Sequence, residues 1–224
     1  MQVRIFHREL LFQCKVLLAA AADLEKSLTE IISDLMATAP VHDPPPRGPS
    51  ESRTGEDIEA SIRAIREWKA DADRRLDVWQ ERDRRVRDEF WIALQQLVSA
   101  AGNISKLLWG QDTPDKQERR EDSRAGLRSS ISISDTETWV LKNRKLRNDW
   151  EHMDERLEEW WDVSAHRSIA IRNFGRVGGL GVKDQFLCFD LATRELSFWN
   201  NVAPVAAFVA EARALVPRLE KALK

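Results

Sequence analysis

The stretch DIEASIRAIREWKADADRRLDVWQERDRRVRDEFWIALQQLVSAAGNISKLLW, residues 57–109, decides the fold. It holds no proline, and its first glycine is Gly102. Ile58, Ile62, Ile65, Ala72, Leu76, Trp79, Val86, Phe90, Leu94, Leu97, Ala101, Ile104 and Leu108 recur three, four or seven residues apart. That is the period of one buried helical stripe. A single helix of this length would run roughly 80 Å at 1.5 Å per residue, more than a compact domain of this size accommodates. The reading therefore places a break near Gln80–Arg84 and starts a second helix there. The mixed-sign run Glu81–Glu89 reads as a solvated, self-paired face. Gly110 reads as a helix stop.

Working outward, residues 5–37 carry Phe6, Leu10, Leu17, Leu24, Leu28, Ile31 and Leu35 at helical spacing and predict one long helix ending before Pro40. Residues 39–56 hold five of the eight prolines and read as a flexible loop. Residues 111–134 are polar, are interrupted by Pro114 and Gly126, and read as irregular. Asp135 or Thr136 can cap a further helix running to about Val163, with Trp139, Leu146, Trp150, Met153, Leu157 and Trp160 as its apolar stripe. Ser168–Phe174, Gln185–Phe189 and Leu196–Trp199 are short and β-rich, separated by turn residues that include Gly175, Gly178, Gly179 and Gly181. Residues 203–223 return to helix, with Pro204 suited to its first turn and Pro217 expected to kink it.

The expected fold is mainly α. It is an antiparallel up-and-down helical bundle with a small C-terminal antiparallel β-hairpin or meander and a closing helix. The bundle would occupy 1–165, and the β appendage with the last helix 166–224. With 224 residues, 42% hydrophobic, the chain can bury a core without covalent staples. Its formal net charge of −2 excludes a chain that is polybasic throughout. Cys14 and Cys188 are far apart, and the four histidines show no metal-type spacing, so no zinc site and no cofactor are expected. No apolar run reaches the roughly 18 residues of a membrane span. Met1–Leu10 has no signal-peptide core, so cytoplasm is the expected location. Nine tryptophans and no tyrosine exclude a tyrosine nucleophile. The glycine stretch 175–181 lacks a GK[ST] ending and reads as a turn between strands.

Chemistry concentrates in Lys142-Asn-Arg-Lys-Leu-Arg-Asn-Asp-Trp-Glu-His-Met-Asp-Glu-Arg156. On a regular helix with Trp150 at zero, Leu146, Met153, Leu157 and Trp160 fall between about −20° and −80° and face the core. Arg147 falls near +60°, and Glu158, Glu151, Arg144, Glu155, Asn148 and His152 follow round to about 200°. Arg147 and His152 thus bracket one polar face. Asn148 lies four residues from His152, and Glu151 lies one turn after Arg147, in position to orient its guanidinium. Taken alone, such a face is most simply a solvated helix surface with ordinary ion pairs.

The segment Arg147-Asn148-Asp-Trp-Glu-His152 resembles the Rx4–6H motif of the HEPN superfamily. Leu146–Leu157, together with Asn103-Ile-Ser-Lys106-Leu-Leu-Trp109, is similar to a group of uncharacterised bacterial HEPN-like proteins. The resemblance covers residues 5–165 and implies an α-helical bundle. It also implies a metal-independent endoribonuclease acting as a homodimer in toxin–antitoxin, phage-defence or RNA-processing systems, with a cognate antitoxin as a partner. Carried onto this chain, it assigns Arg147 and His152 to catalysis, with Asn148 beside them and Glu151 and Glu155 in support. Imidazole is the natural acid or base near neutral pH. A guanidinium would stabilise charge on the phosphate. RNA would be held by Lys142, Arg144 and Lys145, with Lys106 and Asn103 in second rank. Lys106 also suits a helix C-terminus, and Asn103 reads as a buried polar group bonded across the bundle. Cleavage would leave 2′,3′-cyclic phosphate ends. Some members of the superfamily keep the bundle without nuclease activity. The alternative is therefore a catalytically inactive helical module that binds a protein or a small ligand.

Overall fold

The computed structural model describes residues 2–36, 46, 54–110, 117–134, 136–164, 171–175, 185–199 and 201–224. In chain order the elements are α1 (Gln2–Met36), α2 (Gly55–Trp109), α3 (Gln117–Ser130), a short 3-10 helix (Val140–Lys142), α4 (Arg144–Glu151), α5 (Met153–Val163), β1 (Ile171–Phe174), β2 (Leu187–Asp190), β3 (Glu195–Phe198), β4 (Asn201–Pro204) and α6 (Val205–Leu223). The protein is mainly helical with a small four-stranded sheet. It divides into two compact units, Met1–Ala22 with Trp91–Lys224, and Asp23–Phe90.

In the smaller unit, Leu24, Leu28 and Ile31 of α1 and Val86 and Phe90 of α2 are buried. Here α2 departs from expectation, because it runs from Gly55 to Trp109 with no break at Gln80–Arg84. The expected break rested on the size of a single compact domain, whereas residues up to Phe90 belong to a unit of their own. Charges also support the helix along its length. Glu81 pairs with Arg84 at 2.7 Å, Asp83 with Arg87 at 2.7 Å, and Asp71 with Arg74 at 3.3 Å. Asp71 also pairs with Arg75, whose hydrogen bond holds the carboxyl below its ordinary value. Pairs three or four residues apart favour helix over coil. Arg82 reaches Asp34 of α1 at 3.1 Å.

In the larger unit, His7, Leu10, Cys14 and Leu17 of α1 are buried, as are Leu94, Leu97, Ile104 and Leu108 of α2. Phe6, expected in the stripe, is 37% exposed, and His7 takes the inward position. Burial pushes the Cys14 thiol up to about 12. α2 ends at Gly110, whose φ of +71° a side chain would resist. The Arg124 guanidinium lies where a Cβ would stand.

α3 forms where an irregular stretch was expected. Leu127 alone is a large apolar residue within it, too little for a readable period. What holds it is tertiary. Leu127, Ile131 and Ile133 are buried, and the buried Arg128 guanidinium donates to Leu108 O at 2.8 Å and to Glu121 at 2.9 Å. A cation on one of the last carbonyls of α2 also complements the negative end of that helix. Residues 111–116 lie outside the described residues.

The single helix expected up to Val163 is instead three pieces. Thr136 sits in a turn with Ser134, and Asp135 is outside the described residues. Glu211 of α6 accepts the N–H groups of Val140 at 2.6 Å and Leu141 at 2.8 Å, which fixes the start of the 3-10 helix. The helix then breaks at His152, between α4 and α5.

The sheet order is β1-β2-β3-β4, with β2, β3 and β4 antiparallel. β1 joins β2 in parallel, with an irregularity between Ile171 and Asn173 where Arg172 has φ +64°, so the sheet is not antiparallel throughout as expected. Residues 176–184, which include the glycine stretch from Gly178 to Gly181, lie outside the described residues. Trp160 is fully buried with its ring 5.5 Å from that of Phe186, which in turn lies 5.1 Å from Phe198. Phe208, Ala212, Leu215 and Leu219 of α6 are also buried. Pro204 ends β4 as well as capping α6, and the helix continues through Pro217 to Leu223.

Candidate functional site at the break between α4 and α5

Of the expected site residues, Asn148, Glu151, His152 and Glu155 flank the break at His152 along the chain, and Lys106 reaches Glu151 from α2. His152 has φ −106° and ψ 39°, outside helical values. Its N–H still donates to Asn148 O at 3.0 Å, and its carbonyl accepts from Arg156 N at 3.0 Å. The chain is therefore bent at one residue without losing these two backbone bonds. The break also overturns the regular wheel. Leu157, assigned to the core stripe, is 37% exposed, while Trp160 of the same stripe is sealed.

His152 is exposed, and its Nδ1 lies 3.3 Å from Glu155 Oε1. Glu151 receives Lys106 Nζ of α2 at 2.8 Å; the Arg147 guanidinium it was expected to orient lies outside the described residues. The structure thus joins a second-rank residue from α2 to the end of α4, next to His152. Asn148 is exposed, as is Lys142 at the end of the 3-10 helix. Asn103 is exposed rather than buried, and its Nδ2 donates to Gln13 Oε1 of α1 at 3.2 Å. Arg144, Lys145 and Arg147 lie on α4, but their side chains are outside the described residues.

The sequence reading missed a polar brace across the break. Asp149, with a side chain only 14% exposed, accepts from Arg156 Nε at 3.1 Å and from Asn201 Nδ2 of β4. Arg156 also binds both oxygens of Glu159 at 2.6 Å, and that carboxylate holds the guanidinium above its ordinary value. Trp150 packs its ring 5.6 Å from Phe198. Helical pair rules look three or four residues along the chain, so no such rule points to an Asp–Arg pair seven apart or to a partner on a later strand.

Chemically, an imidazole with a carboxylate beside Nδ1 leaves Nε2 open to solvent, where it can act as a base or an acid. Among the described residues, no group of three or more His, Cys, Asp and Glu side chains could hold a metal ion. No described helix is long and apolar enough to cross a membrane. Beside the site, a small crevice between α2, the 3-10 helix and α6 is lined by Ala101, Gly102, Ser105 and Asn143. The buried Ser105 hydroxyl facing that crevice has no partner among the described residues. No protein-family model matches the chain, and comparison with curated proteins and with solved structures found no match.

Proposed function

We propose that this chain is a HEPN-type, metal-independent endoribonuclease that works as a cytoplasmic homodimer in a toxin–antitoxin or phage-defence setting, with its helices packed as an up-and-down bundle. The observation that carries the reading is His152, exposed at the break with its Nδ1 3.3 Å from Glu155 Oε1, five residues after Arg147. In the reaction, Nε2 of His152 takes the proton of an RNA 2′-OH as that oxygen attacks the adjacent phosphorus. The new 2′-O–P bond replaces the P–O5′ bond and leaves a 2′,3′-cyclic phosphate. The departing 5′-oxygen takes a proton from an imidazolium. A second copy of the chain supplies the second imidazole, since one histidine cannot be base and acid in the same step. Arg147 stabilises the charge on the phosphoryl oxygens, Asn148 holds the imidazole or the phosphate by hydrogen bond, and Lys142, Arg144 and Lys145 hold the RNA backbone.

The test is incubation with mixed RNA in EDTA. Cleavage should proceed, and His152→Ala should cut it roughly 10²–10⁴-fold. Arg147→Ala should also impair it, and Arg147→Lys should fail to restore it if the guanidinium binds phosphate through two parallel bonds. A metal requirement, full activity in His152→Ala, or a monomer mass by light scattering across micromolar concentrations would each count against the mechanism.

One observation favours a second reading, an inactive module that binds a protein. Leu157 and Trp161, four residues apart on α5, are 37% and 49% exposed, apolar side chains of the kind found at interfaces. An intact wild-type dimer that cleaves no RNA would favour it.

A further inference from the structure

We propose that Asp149 is a positioning residue that sets the pose of His152 by clamping the break between α4 and α5. The proposal deepens the nuclease reading and rests on it for its consequence, but not for its geometry. In an unbroken helix seven residues advance about 10.5 Å, near the limit of what an aspartate and an arginine Nε can bridge. Here Asp149 and Arg156 meet at 3.1 Å across the one non-helical residue between α4 and α5.

The other Asp149 oxygen takes Asn201 Nδ2, which ties the end of α4 to β4. Arg156 passes the connection on to Glu159, and Lys106 holds Glu151 from α2. Both sides of the break are therefore anchored, and His152 is the residue left to turn. Its exposed ring has Nδ1 3.3 Å from Glu155 Oε1, the contact that the pose of α5 sets. Asp149 touches no reacting atom. It acts by holding α5, and with it Glu155, where that carboxylate stands beside Nδ1 of His152 and leaves Nε2 free of it.

The experiment reads the tautomer of His152 directly, in RNA-free protein, by long-range nitrogen–proton NMR of histidine-labelled wild type. The His152 signal is assigned by its loss in His152→Gln. At alkaline pH, with the ring neutral, wild type should show the proton on Nδ1, opposite to free histidine. Asp149→Ala should return the pattern to that of free histidine while Trp fluorescence remains native. Glu155→Gln should weaken the Nδ1 signature. Arg156→Gln opens the same clamp from α5 and decides the matter if Asp149→Ala does not fold. An Nδ1–H tautomer unchanged in a folded Asp149→Ala or in Arg156→Gln would overturn the proposal. Failure of the nuclease reading shows separately, as absence of RNA cleavage by wild type.

Discussion

α2 and the segment from Val140 to Val163 invert each other's expectations. The first was expected to break and runs 55 residues without interruption, whereas the second was expected to be one helix and breaks at His152. The difference lies in where the polar partners are. In residues 71–89 of α2, Asp71, Glu81, Asp83 and Arg85 find partners three or four residues along the same helix. Such pairs reward continuation. In the second segment Glu211 takes the N–H groups of Val140 and Leu141, Lys106 takes Glu151, and Asn201 and Arg156 take Asp149. Partners supplied by other elements fix each piece separately and leave the bend to one residue. A candidate site arises at that bend.

The sharpest way to break this contrast is to remove the anchor of α5. Trp160→Ala deletes a fully buried ring that packs on Phe186, and should cost about 3–5 kcal/mol in denaturant unfolding. A loss below about 1 kcal/mol would mean that α5 does not depend on tertiary packing. Next, Arg84→Pro tests whether α2 is continuous. It should cost about 3 kcal/mol and lower the helical circular dichroism signal, whereas a near-neutral effect would restore the break that the helix length suggested.

A smaller comparison sets two carboxylates side by side. Glu211→Ala leaves the half-buried donors of Val140 and Leu141 unpaired and should cost about 1–3 kcal/mol. Glu81→Ala removes a solvent-exposed ion pair and should cost about 0.5 kcal/mol or less. Equal effects in urea titrations would erase the distinction between tertiary and local pairing.

The smallest expected effect is in pH. Burial holds the His7 imidazole below its ordinary value of 6.5, and its Nε2 lies 2.8 Å from Ser130 Oγ at the end of α3. The unfolded chain then binds that proton more readily than the folded one. His7 therefore contributes its full stability above 6.5 and loses it as pH falls towards the depressed folded value. Urea midpoints should fall more steeply on acidification in wild type than in His7→Asn, and parallel declines would remove His7 from the account.

Legibility in the sequence followed the strength of the local signal. α1 and α6 carry dense apolar stripes, and their spans differ from the expected ones by a few residues at most. α3 has one large apolar side chain, and it is held by burial of Leu127 and by Arg128 reaching Leu108 O, twenty residues back. β4 is four residues long and leads straight into α6, so its period was absorbed into the helix start. At the site, His152, Asn148 and the two glutamates were readable as residue types. The regular wheel assumed one unbroken helix and placed Leu157 in the core; the break at His152 and the Asp149 contacts to Arg156 and to Asn201, 52 residues on, follow no helical pair rule. Lys106 was picked out by type, but its partner Glu151 was visible only in three dimensions.

The most direct test of the account is the chemistry of the ends left on a defined RNA digested by the wild-type protein in EDTA, read by mass spectrometry. Acid–base catalysis by an imidazole at the α4–α5 break predicts 2′,3′-cyclic phosphate and 5′-hydroxyl ends without metal. Ends bearing 5′-phosphate and 3′-hydroxyl, or products that form only once a divalent metal is restored, would contradict it.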